Sequence, residues 1–291
     1  ALTKHQHGKN RVRVLKVNRS TATHTVSEFN VNVQLYGAAA EASYVSDDNS
    51  HVVPTDTMKN CVYVVAKRFT GTTPEEFAAA ICDFMLKKYS HLSGVDATVS
   101  EQRWRRVAID GVPHRHGECW FVVDGPMQFT GRACVDRGAP PAVTAGLKDL
   151  VVLKTTQSGF AGFHKGQYTT LPDTTERCLS SSVTATWKCV VAWVCVVGDV
   201  NVLAPGSLDT LFGPPQAGVF SPSVQATLYK MGQAVLSSVP EVDSITLDMP
   251  NIHFIPFPLE KYGEEFRDDI FMATSEPHGT IMATLSRSKL A

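Results

Sequence analysis

His114 and His116 stand two apart, so an extended backbone would place both rings on one face, as a strand presents nitrogens to a metal ion. A zinc-like third ligand does not follow at a fitting interval, and Pro113 and Gly117 mark the segment as a turn; the reading is a polar turn and no metal. Gly94, Gly111 and Gly117 fit neither standard glycine-rich phosphate loop, which argues against nucleotide binding. A Ser-His-Asp hydrolase would need a nucleophile elbow. Gln157-Ser158-Gly159-Phe160 comes nearest but lacks the first glycine and the following helix. The seven cysteines are odd in number, scattered and without a Cys-x-x-Cys, and read as free thiols of a reducing compartment.

The elements that must position any site are easier to read. In residues 26–35, Phe29, Val31, Val33 and Leu35 alternate with Asn30, Asn32 and Gln34, the period of a strand with one face on a core. Paired with residues 11–17 across a Thr/Ser/Asn loop, this segment predicts a long hairpin. Thr73-Pro74-Glu75-Glu76 then starts a helix, with a capping threonine, proline at the first helical position and Glu76 closing a capping box. Phe77, Ile81, Phe84 and Met85 form its buried stripe, and Lys87 and Lys88 sit at the negative end of its dipole. Strands are expected at 96–109 and 119–123.

The second half repeats that order. Val183, Ala185, Trp187, Cys189, Val191, Trp193 and Cys195 occupy the odd positions of one long strand, a helix starts at Ser221-Pro222 with Leu228, Met231 and Val235 inward, and a strand follows at 242–257. Pro74 and Pro222 are 148 residues apart, and Val95-Asp96 and Val242-Asp243 are 147 apart, which indicates a duplicated unit. Gly-Ala-Pro-Pro near 138–143 is the expected boundary, giving units 1–140 and 141–291. Each is an α+β layer, an antiparallel sheet with helices on one face, whose open edges call for covering or for another subunit.

Composition bounds the partners. Hydrophobic residues at 43% and charged residues at 19% exclude disorder and collagen-like repeats. A net charge of −1, from 27 Lys+Arg against 28 Asp+Glu, supplies no general attraction for nucleic acid or an anionic membrane. The longest apolar run, residues 189–197, has nine residues, far short of a bilayer span, and the first residues show no apolar signal segment. Partners are expected to be small molecules or copies of the chain itself. Composition and spacing stop there, at an oligomeric two-domain α+β protein with a small-molecule site somewhere.

Several stretches are too particular for scaffold: Gly8-Lys9-Asn10-Arg11, Val53-Pro54-Thr55-Asp56, Asn251-Ile252-His253-Phe254, and Lys154-Thr155-Thr156-Gln157-Ser158-Gly159-Phe160 continuing through Thr170-Leu171-Pro172 to Glu176-Arg177-Cys178. Together they closely resemble the urate oxidase (uricase) family, over essentially the whole chain. The resemblance implies two tandem tunnelling-fold units, a homotetrameric barrel around a central tunnel, and active sites at subunit interfaces. It also implies urate and O2 as substrates, 5-hydroxyisourate and hydrogen peroxide as products, and no cofactor.

Carried onto this sequence, the resemblance gives Arg177 as a planar fork for the urate anion, Gln225 as an amide clamp on the opposite edge and Phe160 as the stacking ring. Leu171 and Val224 join the substrate wall. Backbone groups of Thr55 and Asp56 reach in from a neighbouring subunit. Thr55 hydroxyl and Lys9 make a proton relay that turns the urate monoanion into a better-reducing dianion, and His253 neighbours Lys9 or extends the relay. Asn251, with Thr55, holds oxygen, then peroxide, then water above the ring. The alternatives are a non-catalytic assembly of the same fold and a purine- or pterin-binding relative. The Lys9/Thr55/His253 set speaks against the first, and the lack of a His/Cys ligand set speaks against zinc-using members of the second. Two departures stand out. Lys165-Gly166-Gln167 occupies a loop where relatives carry acidic residues, and Ser288-Lys289-Leu290, a peroxisomal address, is followed by Ala291.

Overall fold

The computed structural model describes residues 2–21, 24–110, 112–113, 121–190 and 208–287. The expectations at His114, His116 and Gly117, at Val191, Trp193 and Cys195, and at Ser288-Lys289-Leu290-Ala291 lie outside the described residues. The chain divides into two compact units: the described residues up to Leu147 together with residues 188–190, and Lys148–Trp187 together with the described residues from Leu208 onward.

In the first unit the expected hairpin is β1 (His7–Asn18) with β2 (Thr25–Tyr36). Their register shifts between Lys9 and Val12, where Arg11 takes φ 60° and its N–H donates to Asn32 Oδ1 at 2.8 Å. Short α1 (Ala42–Val45), then α2 (Thr55–Arg68) and α3 (Pro74–Lys88), precede β3 (Gly94–Arg106). A small ladder of β4 (Ala108–Ile109) and β5 (Val112–Pro113) leads to β6 (Phe121–Asp136). The antiparallel order is β1-β2-β3-β6. Phe29, Val31, Val33 and Leu35 of β2 and Val95, Ala97 and Val99 of β3 form the core with Met58 and Val62 of α2 and Phe77, Ile81 and Met85 of α3. One face of the sheet is therefore helix-covered. The capping box forms as expected: Thr73 Oγ1 accepts from the Glu76 N–H at 3.4 Å, and the Glu76 carboxylate accepts from the Thr73 N–H at 3.2 Å.

Two differences have physical causes. Helix α2 was not foreseen because it has no side-chain cap; Pro54, at its N-cap, contributes only a carbonyl, which accepts from the Met58 N–H at 3.1 Å. The strand expected at 119–123 runs on to Asp136, because Gly125, with φ +76°, absorbs the irregularity where the β3–β6 register shifts between Gln102 and Trp104.

The second unit repeats the plan. β7 (Ala142–Lys154), along which the chain leaves the first unit, neighbours β8 (Leu179–Cys189). After α4 (Asp209–Phe212) and α5 (Val224–Ser238) come β9 (Val242–Asp248), β10 (Asn251–Pro256), β11 (Phe271–Gly279) and β12 (Met282–Ser286). β9 lies between β8 and β12, while β10 bridges to β8 and pairs with β11. The helices α3 and α5 have 15 residues each and are followed directly by β3 and β9. Val183, Ala185 and Trp187 are buried as the alternation required.

The single strand expected at 242–257 is two. Pro250 has no N–H to donate, the Met249 N–H goes to Ile281 O at 2.8 Å, and β10 leaves for other partners. The second helix begins two residues after Pro222, since Ser223 is its cap and accepts from the Ala226 N–H at 3.1 Å. Cys61, Cys82, Cys134 and Cys178 are free thiols, but Cys189 is disulfide-bonded, against expectation. No helix among the described residues is long and apolar enough to cross a membrane.

Candidate active site

The second unit gathers Phe160, Arg177 and the start of α5 through backbone pairing. The segment after β7 turns at Gln157, which takes φ 57°, and runs beside the residues leading into α5: Ser221 N–H donates to Gln157 O and Gly159 N–H to Ser221 O, each at 2.9 Å. Phe160 and Thr174 exchange hydrogen bonds at 2.8 and 3.0 Å, closing the loop that carries exposed Leu171. The Arg177 N–H then donates to Ser158 O at 2.9 Å. Val224 is buried at the first position of α5, and Gln225, next to it, is exposed at the positive end of the helix dipole. Three residues beyond Arg177, Ser180 of β8 pairs with Ile252 of β10, which brings Asn251 and His253 to the same end of the sheet.

Arg177 is the electrostatic centre of this group. Its guanidinium carbon lies 5.6 Å from the centroid of the Phe160 ring, and Phe160 is held by parallel stacking on Phe163, with centroids 4.9 Å apart and planes 10° apart. Arg177 Nε is buried without a hydrogen-bond partner, and Arg177 forms no ion pair among the described residues. Burial pulls its pKa below the ordinary arginine value. A desolvated guanidinium beside an aromatic ring and without a carboxylate suits a flat anion. Lys165 pairs with Asp173, whose carboxyl is held below the ordinary range first by that hydrogen bond.

The first unit assembles Lys9, Thr55 and Asp56. His7 Nε2 lies 3.1 Å from Val53 O, joining the start of β1 to the residues that enter α2. Thr55 is the exposed first residue of that helix and Asp56 the second. The Asp56 carboxyl lies below its usual pKa, chiefly through the hydrogen bond from Lys59 and the Lys59 charge, with a smaller contribution from the charge of Lys9. Lys9 itself is half-buried in β1, opposite Val33.

The site residues thus fall into two groups, one per unit: a cationic, aromatic one with a helix N-terminus, and a hydroxyl, an amine and a carboxylate. The broad groove of about 1160 Å³ lined by Lys16, Tyr63, Phe69, Glu101, Arg103 and Trp104 contains none of them. Among the described residues no group of three or more His, Cys, Asp or Glu side chains could hold a metal ion. Sequence reasoning assigned no role to Lys154, Gln157 or Ser221, which tie the second group together. The one available signal was a charged residue at an inward position of β7, in step with buried Val152.

Comparison with known proteins agrees with this architecture. A family model described as Uricase matches residues 5–128 and 143–282. The chain is 40% identical to uricase-2 isozyme 1 of Glycine max and 42% identical to the uricase of Arabidopsis thaliana, each match covering 97% of this chain and 94% of the relative. It superposes on the crystal structure of uricase from Arthrobacter globiformis with a TM-score of 0.84 at 33% identity, covering 99% of this chain and 96% of that one. With both units inside the match, the chain belongs to the uricase family.

Proposed function

We propose that the protein oxidises urate with dioxygen to 5-hydroxyisourate and hydrogen peroxide, without a cofactor, in an assembly where the first-unit group of one copy completes the second-unit group of another. The observation that carries this reading is Arg177: a buried guanidinium with an unpartnered Nε, beside a fixed aromatic ring. Urate is planar and anionic, so Arg177 takes adjacent acceptors on one edge, Gln225 takes donor and acceptor on the other, and Phe160 stacks on the ring. Leu171 and Val224 supply apolar wall, and the backbones of Thr55 and Asp56 finish the in-plane contacts.

Dioxygen accepts electrons one at a time and needs an electron-rich donor. Thr55 hydroxyl relays the second urate proton to Lys9, with His253 beside that relay, and the dianion so formed is the better reductant. Two electrons pass in total from urate to dioxygen, which leaves as hydrogen peroxide after taking up two protons. Water, held above the ring with Asn251, adds its hydroxyl to the oxidised purine. The test is loss of urate ultraviolet absorbance with matched oxygen uptake and peroxide release, on protein exhaustively treated with chelator. Full turnover after chelation is expected. Dependence on a restored metal or flavin, or intact folded protein that leaves urate untouched, overturns the reading.

A further inference from the structure

Lys154 ends β7 with only 8% of its surface exposed, and it forms no ion pair among the described residues. Its ammonium instead donates to three neutral oxygens: Leu211 O at 3.1 Å, Ser221 Oγ at 3.0 Å and Val219 O. Three donors meet three acceptors, so the group is satisfied without being neutralised. Burial alone makes the ammonium costly, and it moves the Lys154 pKa below the ordinary lysine value. A salt bridge would offset that cost, yet among the described residues no carboxylate pairs with the ammonium.

What the ammonium holds is the frame of the second-unit group. Val219 and Ser221 lead directly into α5, where Val224 and Gln225 sit. The backbone of Ser221 is the rail on which Gln157 and Gly159 pair, and Phe160 and Arg177 hang from that pairing. Gln157 reinforces the frame from the other side. Its N–H donates to the Glu176 carboxylate at 3.0 Å and its side-chain amide to Ala217 O at 3.0 Å. It lies so close to Gly218 that a Cβ there would stand 2.3 Å from Gln157 Oε1.

We propose that Lys154 is a positioning residue for the anion group: its buried ammonium sets the spacing between the Phe160–Arg177 segment and the start of α5, and its unneutralised charge adds to the positive field there. The inference rests on the proposed binding of urate by Arg177, Gln225 and Phe160. Because Lys154 touches none of the reacting atoms, its loss acts on substrate binding and leaves the chemical step alone.

The test uses Lys154→Met, which keeps the chain length and removes charge and donors, alongside Ser221→Ala, which removes one acceptor only. Hydrogen bonds to a charged group carry enough energy for Lys154→Met to weaken anaerobic urate binding about ten- to a hundredfold, with KM raised in step and kcat at saturating urate held within about threefold. Ser221→Ala raises KM by a smaller factor in the same direction, and it carries the test if the methionine variant does not fold. A variant that melts earlier but keeps the wild-type KM shows a merely structural lysine and overturns the proposal, as does a fall in kcat at unchanged KM. Amide hydrogen exchange at Gly159 and Ser221 reads the frame without any ligand and is expected to quicken in Lys154→Met. If the wild type binds no urate while this exchange quickens, the urate reading fails and the positioning role stands; unchanged exchange in a folded variant overturns the role itself.

Discussion

The cations of this chain differ in what they face. Arg13, Arg132 and Lys87 all face carboxylates, as surface cations commonly do. Arg177 and Lys154 are the reverse: shielded from water, close in the chain, and facing neutral groups or none. Lys9 belongs to a third kind, half-buried and within the field of Asp56, which Lys59 already engages. Among the described residues Lys9 forms no ion pair with that carboxylate. If Lys9 and Thr55 form the relay, Lys9→Met or Thr55→Ala lowers kcat by about 10²- to 10⁴-fold, the usual reach of a positioned acid–base group, while anaerobic urate binding survives. Stopped-flow turnover beside an anaerobic titration measures both, and near-wild-type kcat in either variant removes the relay. These residues were legible because their short motifs are distinctive. The burial of Lys154 was not, since its step with Val152 is a signal only once β7 is known to be a strand with that face inward.

At the level of the element, the start of α3 combines good capping with one costly group. Glu75, in the first turn, is 5% exposed and its Oε1 has no hydrogen-bond partner among the described residues; β6 comes so close that a Cβ on Gly131 would stand 2.1 Å from the Glu75 nitrogen. Burial pushes the Glu75 carboxyl up to about 7, with smaller contributions from Glu76 beside it and from Glu101 on β3, which is itself raised by burial and opposed by Arg103 at 3.7 Å. A carboxyl whose folded value lies above its ordinary 4.5 holds its proton more tightly when folded. Its contribution to stability is therefore intact below the ordinary value and lost as pH rises to about 7, a loss of roughly 3 kcal/mol. Glu75→Gln removes that ionisation, so the variant melts above the wild type at about pH 8 and close to it at about pH 5. Calorimetry at both pH values checks this, and an equal difference at the two would show that ionisation is not the cause. Proline, threonine and glutamate at the right offsets announced this helix, whereas α2, entered from a proline with no capping side chain, had no such announcement.

For the molecule as a whole, the proposed reading places one group of site residues in each unit. A chain altered at Thr55 keeps its Arg177 group, and a chain altered at Arg177 keeps its Thr55 group. If sites form between copies, mixing inactive Thr55→Ala with inactive Arg177→Gln under conditions that exchange subunits restores sites with two intact halves. Random mixing of equal amounts restores about a quarter of wild-type activity. Native mass measurement confirms hybrid formation. Hybrids that form and stay inactive would show that one chain supplies both halves.

The amino-acid order alone determined the repeated plan, because period-two and helical hydrophobic patterns and the capping box are local and survive without tertiary contacts. It also carried the family likeness, held in runs such as Thr55-Asp56 and Gln157–Phe160. Only the folded chain decided that β9 and β10 part at Pro250, that β6 runs through its bulge, and that Lys154 is buried against three neutral oxygens. Those outcomes depend on which strand edge or carbonyl lies within reach once distant segments meet, and on how much water is left around a charge. Neither is a property of neighbouring residues.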